Sequence, residues 1–236
     1  MSIFHYTLDQ DDPTVPPMGL IVLAADETLE ADMRVAMADV AAPLYVTRIP
    51  SALEVTPETL SAMAGQLSAA ADLLPKARRF GVVGYGCTSA SAIIGSKAVA
   101  DLVRQTCDVV EVTNPLRAAI AHAKHLGLSK LALLSPYIEP VNVPLRRGFA
   151  EAGISTDEFG TFGEAEEAKV VRIASNSIVE AACTLGASSE VEGVFLSCTN
   201  LRTFAAIPEI ERRIGKPVLS SNQALAWHMK VLNDRA

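Results

Sequence analysis

Long apolar runs are missing from this 236-residue chain, and those present fall far short of the roughly 20 residues that a membrane-spanning helix needs. The opening segment, MSIFHYTLDQDDPTVPP, has neither the basic start nor the apolar core of a secretory leader, so the expected location is the cytoplasm. Basic clusters are missing as well. Lys and Arg number 20 against 27 Asp and Glu, for a net charge of −7 and a pI near 5.1. The densest basic groupings are pairs such as Arg78-Arg79 and Arg146-Arg147. Nucleic acid, whose phosphates require a basic surface, is therefore not an expected partner, and neither is an anionic membrane. No GxGxxG or GxxxxGK[ST] pattern follows a strand-like run, so no nucleotide cofactor is indicated. Cysteines are few, at 87, 107, 183 and 198, with neither CxxC spacing nor a nearby histidine to suggest zinc. In a reducing compartment they are thiols.

Half of the residues are hydrophobic and no tract is of low complexity, which implies a compact fold with a substantial core. Apolar, β-branched runs occur at 18–23, 44–49, 80–85, 108–112, 131–135, 154–159, 193–197 and 216–220. Ala- and Leu-rich segments with helical spacing lie between them, such as Thr56 to Leu74, where Thr56-Pro57 supplies a cap and a first turn. Strands alternating with helices predict parallel sheets covered on both faces.

The eight strands divide four and four, and the third of each set leads into a cysteine: VVGYGCTSAS holds Cys87 and VFLSCTNLRT holds Cys198. This predicts an α/β protein of two similar Rossmann-like halves, each with a four-stranded parallel sheet, related by a pseudo-twofold axis with the site between them. The expected division is 18–115 plus 222–236 for the first half and 116–221 for the second, after an N-terminal extension over 1–17. Ligands of parallel sheets bind beyond the carboxyl ends of the strands. Cys87 and Cys198 would flank one cleft there, each near a helix N-terminus that favours thiolate and anionic groups. Cys107 and Cys183 sit in pre-strand and helix-like contexts and read as structural.

Two facing thiols can remove a proton from one side of a carbon and return one to the other, which is racemisation or epimerisation without a cofactor. Alternatively, one thiolate adds to an activated double bond while the other handles the proton, which gives cis–trans isomerisation. Both routes build up negative charge beside a carboxylate, and Thr88, Ser89 and Thr199 with their backbone amides are positioned to stabilise it.

These residues carry a family resemblance over most of the chain. GLIVLAADETLEADM (19–33), GYGCTSASAIIG (84–95), LALLSPYIEPVN (131–142), VFLSCTNL (194–201) and IPEIERRIGKPVLSS (207–221) resemble the Asp/Glu racemase superfamily, in the branch that holds maleate cis–trans isomerase and arylmalonate decarboxylase. GCTSAS, SCTNLR and SNQALAWH (221–228) most resemble the racemase-like proteins of ectoine-utilisation operons. The resemblance implies that Cys87 falls on the isomerases' nucleophile, a glycine in the decarboxylases, and that Cys198 falls on the protonating cysteine both retain. It also implies that Thr88, Ser89 and Tyr137 bind carboxylate, and it is compatible with a homo-oligomer. No cofactor is implied; the implied partner is a small carboxylate-bearing substrate.

Two departures bear on that substrate. Asp26 stands where the maleate isomerases have an asparagine; an ionised Asp repels a dicarboxylate and pairs with an ammonium or amidinium group. The alternative is that Asp26 caps the helix starting near Glu27. Glu166 or Glu167 occupies the region of another family asparagine. The histidines, including His122, His125 and His228, read as helix-surface or packing residues, with a cleft-closing role open for Trp227-His228. The expected activity is thus a cofactor-independent isomerase or racemase acting on an amino-acid-like or ectoine-derived substrate. The alternatives are a maleate-type isomerase, an arylmalonate-type decarboxylase and a non-enzymatic small-molecule binding protein.

Overall fold

The computed structural model describes residues 1–9 and 15–236. Residues 1–9 of the N-terminal extension are exposed and form no helix or strand, while 10–14 lie outside the described residues. The regular chain begins with β1 (Met18–Leu23), α1 (Leu29–Ala36), β2 (Leu44–Ile49), α2 (Pro57–Ala62), α3 (Ala64–Asp72), β3 (Phe80–Gly86), α4 (Thr88–Ile94), α5 (Ser96–Arg104), β4 (Val109–Thr113) and α6 (Pro115–His125). It continues through β5 (Leu131–Tyr137), α7 (Glu139–Glu151), β6 (Phe159–Glu164), α8 (Glu167–Val170), α9 (Ser175–Gly186), β7 (Gly193–Leu196), α10 (Ile207–Ile214), β8 (Val218–Ser220) and α11 (Ser221–Asn233).

The strands form two four-stranded parallel sheets in the orders β2-β1-β3-β4 and β6-β5-β7-β8. Adding four to each strand number converts one order into the other, so β3 and β7, the strands that precede Cys87 and Cys198, are equivalent and internal. Both are buried along their whole length, as strands covered on two faces must be. Ile21, Val83 and Tyr85 on one face of the first sheet pack in the same cluster as Leu67 of α3 and Val99 of α5, and this cluster continues to Ala132, Leu134 and Leu196 of the second sheet. On the opposite face Met18, Leu20, Val22 and Val82 are covered by Leu29 and Met33 of α1 and by Leu225 and Met229 of α11. The last helix of the chain therefore returns to the first sheet. Leu133, Phe195 and Leu219 of the second sheet pack with Leu116 and Ala119 of α6 and Phe149 of α7.

Two local expectations need correction. The sixth strand lies at Phe159–Glu164 rather than 154–159. The Leu131 N–H donates to the Ser155 carbonyl at 2.9 Å and the Leu133 N–H to the Glu158 carbonyl at 2.8 Å, so three residues oppose two. The Ser155 hydroxyl donates to Asp157 at 2.6 Å, and this turn takes up the extra residue before the regular ladder starts. The helical segment from 56 to 74 is two helices broken at Met63, where the Gln66 N–H reaches the Met63 carbonyl in a tight i to i+3 turn next to Gly65. Its predicted start holds: Pro57 sits in the first turn, the Thr59 N–H donates to the Thr56 hydroxyl and the Thr56 N–H donates to the Thr59 hydroxyl.

Candidate active site

The seven side chains singled out from sequence, Asp26, Cys87, Thr88, Ser89, Tyr137, Cys198 and Thr199, are all buried. They lie at or just beyond the carboxyl ends of β1, β3, β5 and β7. Cys87 is the N-cap of α4, and its Sγ accepts the Ala90 N–H at 3.4 Å. Cys198 has φ +93°, and among the described residues it is the one non-glycine at positive φ. Such backbone is strained by about 1–3 kcal/mol and persists where the surroundings over-determine it. Two bonds do so here: the Cys198 N–H donates to Ser221 Oγ at 3.1 Å, and the Asn200 N–H donates to Cys198 Sγ at 3.2 Å.

The two cysteine loops are fastened to each other. Ser221, at the start of α11, also accepts the Thr88 hydroxyl at 2.8 Å, so one side chain bridges the residue after Cys87 and the backbone of Cys198. Thr199 Oγ1 donates to the Gly86 carbonyl at 3.3 Å, and Asn222 Nδ2 donates to the Thr199 carbonyl at 2.8 Å. Both sulfurs, with Tyr137, belong to one buried cluster. The hydroxyl protons of Thr88 and Thr199 are thereby spent inside the protein, whereas the Ser89 hydroxyl has no hydrogen-bond partner among the described residues.

Acidic groups dominate the site's electrostatics. Asp26 Oδ1 accepts the N–H groups of Thr28 and Leu29 at 2.8 and 2.7 Å, so the capping role weighed for this residue is present. Its other oxygen, Oδ2, is buried and accepts no hydrogen bond of good geometry, although the Thr199 hydroxyl lies close enough to favour the ionised carboxylate. Glu167 is buried: Oε1 accepts the Tyr137 hydroxyl at 2.7 Å and Oε2 accepts Asn200 Nδ2 at 2.8 Å. Asn200 also ties back to the β1 loop, since its Oδ1 accepts the Glu27 N–H at 2.9 Å and its carbonyl accepts the Thr28 hydroxyl at 2.9 Å. The buried polar residues include no Lys or Arg among the described residues. Burial raises both carboxyls above their ordinary range, outweighing the hydrogen bonds that favour their ionised forms.

The helix N-terminus was expected to favour a thiolate at Cys87. Instead, burial, reinforced by the fields of Glu167 and Asp26, pushes that thiol up to about 12, and the backbone N–H groups of Ala90 and Ser89 do not offset them. Burial and the Glu167 charge likewise hold Cys198 well above an ordinary thiol.

Glu167 was singled out in sequence only as one of two acidic residues before a helix, and Asn200 and Ser221 were not singled out at all. A signal was present in the polar residues that follow both β7 and β8, the positions where parallel strands deliver side chains to a cleft. Cys107 is buried, Cys183 is half-buried, and both are free thiols. His122 stacks on Trp227 with ring centroids 4.5 Å apart, while His228 Nδ1 lies 2.8 Å from the Thr113 hydroxyl. These are packing roles on α6, β4 and α11.

The family model for arylmalonate decarboxylase matches residues 18–235. The chain belongs to the arylmalonate decarboxylase family. Within the family's reach, the arylmalonate decarboxylase of Bordetella bronchiseptica is 34% identical over 117 residues, which is 49% of this chain and 46% of that protein, so the aligned part spans about half of each. The maleate isomerase of Geobacillus stearothermophilus is 26% identical over 189 residues, 77% of this chain and 75% of that one. The crystal structure of the maleate isomerase Iso from Pseudomonas putida S16 shares the fold, with a TM-score of 0.83 over 93% of both chains at 21% identity.

Proposed function

We propose that this family member is a cofactor-independent isomerase that uses Cys87 and Cys198 as a paired acid and base at a carbon next to a carboxylate. The observation that carries the reading is the fastening of two cysteine loops from equivalent strands into one buried cluster, through Ser221 and through Thr199 to Gly86. Substrate held between the sulfurs loses a proton to one and regains a proton from the other. Ser89, whose hydroxyl is unspent, with Thr88, Thr199 and Tyr137 once re-aimed, stabilises the enediolate-like charge.

The substrate we propose is amino-acid-like: a carboxylate that also carries a cationic nitrogen, an ammonium or a cyclic amidinium. Asp26 Oδ2 supports this, because the neighbouring Thr199 hydroxyl leaves that buried carboxylate oxygen short of a well-aligned hydrogen bond, and a cationic group would complete it. A dicarboxylate entering beside Asp26 and Glu167 adds a third and a fourth negative charge where no buried Lys or Arg balances them. The resemblance to the ectoine-utilisation proteins supports ectoine, hydroxyectoine and their ring-opened derivatives as the first candidates, and we propose a role in their degradation.

Proton NMR in D2O tests the reading with those compounds, aspartate, glutamate and maleate. Exchange of an α-proton that disappears in both Cys87→Ser and Cys198→Ser supports it; no exchange with any of them sinks it. A second reading, cis–trans isomerisation of the maleate type, is favoured by the likeness to a maleate isomerase over three quarters of both chains. It requires Cys87 to add to the double bond, so its mark is fumarate production with a succinyl adduct on Cys87 in the mass spectrum. Arylmalonate-type decarboxylation has no need of Cys87, and its mark is activity that survives Cys87→Ser.

A further inference from the structure

Tyr137 Oη lies between two partners, 2.7 Å from Glu167 Oε1 and 3.0 Å from Cys198 Sγ. The hydroxyl has one proton and cannot donate to both. If Glu167 is ionised it takes that proton as its hydrogen bond, and Cys198 must then be a thiol whose S–H points at Tyr137 Oη. If Cys198 is a thiolate, the same hydroxyl turns to the sulfur and Glu167 must be the protonated partner. The two arrangements contain the same number of protons. The surroundings fix the heavy atoms for either: Asn200 Nδ2 holds Glu167 Oε2, the Asn200 N–H holds Cys198 Sγ, and Asn142 Nδ2 donates to the Tyr137 carbonyl at 2.7 Å. All of these residues are buried.

We propose that Glu167 is the internal base for Cys198, acting through Tyr137. The Cys198 thiol proton passes to Tyr137 Oη as Tyr137 passes its own proton to Glu167 Oε1. The products are a thiolate, an intact tyrosine and a neutral carboxylic acid, and no tyrosinate forms. The triad holds one negative charge before and after the transfer. Ionising Cys198 to solvent would instead place a second negative charge in the same buried cluster, where a low dielectric makes it costly. In this transfer Tyr137 and Glu167 are positioning and proton-transferring groups, and Cys198 is the one that exchanges the proton with the substrate. The inference deepens the two-cysteine reading and rests on it for the use made of the thiolate; the transfer itself needs no substrate.

The other titratable groups facing the triad are Asp26, on the loop after β1, and Cys87, at the start of α4. Both are retained in the test variants. The test is alkylation of the substrate-free protein by iodoacetamide from about pH 6 to about pH 9, with each cysteine followed by peptide mass spectrometry. An internal transfer takes no proton from solvent, so the wild-type Cys198 rate is expected to be flat across the lower part of that range. In Glu167→Gln and in Tyr137→Phe the thiolate must come from solvent ionisation: the rate then climbs about tenfold per pH unit, and near pH 6 it lies at least about tenfold below wild type. Charge repulsion alone makes the opposite forecast, because removing a carboxylate eases ionisation of a nearby thiol and speeds its alkylation.

A Glu167→Gln profile parallel to wild type, or faster, overturns the proposal. So does a slow Glu167→Gln beside an unaltered Tyr137→Phe, because the tyrosine is then no conduit. Cys107 in the same digests reports whether each variant is folded, and if the Gln variant is not, the Tyr137→Phe profile decides by itself. Silence in the D2O exchange panel with a flat Cys198 profile would sink the isomerase reading and leave this one standing.

Discussion

Cys198 and Cys87 differ in how their backbones are held, and that difference bears on their substitution. Serine fits both positions but does not ionise near neutrality, so each Cys→Ser variant is expected to lose α-proton exchange by at least about a hundredfold, the worth of a positioned acid or base. Ser221→Ala removes the acceptor shared by the Thr88 hydroxyl and the Cys198 N–H and leaves two buried donors unpaired. We expect a loss of about 1–3 kcal/mol in urea unfolding, with slower exchange because the Cys198 loop is strained and loses a restraint. A stability unchanged by Ser221→Ala would show that the bridge does not hold the loops together. The cysteines were legible because they repeat in matched positions. Glu167, Asn200 and Ser221 were not, because each acts through partners far away in sequence: Tyr137 lies 30 residues from Glu167, and Thr88 lies 133 residues from Ser221. Asp26 illustrates a limit of reading one role per residue, since one oxygen caps the turn before α1 and the other lacks a well-aligned hydrogen bond.

Strand and helix identity followed the pattern of apolar residues closely, since buried parallel strands are continuous apolar runs and the helices between them are amphipathic. What the pattern could not register was the bulge before β6, which depends on a hydrogen bond between Ser155 and Asp157, and the break at Met63, which interrupts an otherwise uniform Ala-rich periodicity. The Thr56 cap was legible as a Thr-Pro pair, and Thr56→Ala is expected to cost about 1 kcal/mol in urea unfolding without affecting the site. Gly86 makes a contrasting case at the end of β3. A Cβ there would stand 2.2 Å from Leu29 Cδ2 and 3.1 Å from the Ile21 carbonyl, so α1 must shift or the Cys87 turn must. Gly86→Ala is accordingly expected to destabilise the protein by about 1–3 kcal/mol and to weaken α-proton exchange, whereas Thr56→Ala leaves exchange unchanged.

The two ends of the described fold are joined by Asn222 of α11, whose Nδ2 donates to Asp32 of α1 at 2.7 Å. Burial raises the Asp32 carboxyl to about 6, with the Asn222 bond opposing and the Asp26 charge adding to the shift. A carboxyl raised in the folded state binds protons there that the unfolded chain has released, so its effect on stability is unfavourable above about pH 6 and fades as the pH falls toward its ordinary value near 4. Asp32→Asn keeps an acceptor for Asn222 and removes the ionisation. We expect the variant to melt at a higher temperature than wild type at about pH 7.5 and the gap to close by about pH 4. A gap independent of pH would show that Asp32 is not the titrating group.

The return of α11 to the first sheet also bears on how the molecule is made. Synthesis runs from the N-terminus, and the face of Met18, Leu20, Val22 and Val82 is covered in part by Leu225 and Met229, which are made long after it. A nascent chain therefore carries this apolar sheet face only partly covered, by Leu29 and Met33 of α1, until α11 has been made. The helix that covers it begins with Ser221, the residue that fastens Cys198 to Thr88, so the reactive pair is fastened only once α11 has been made.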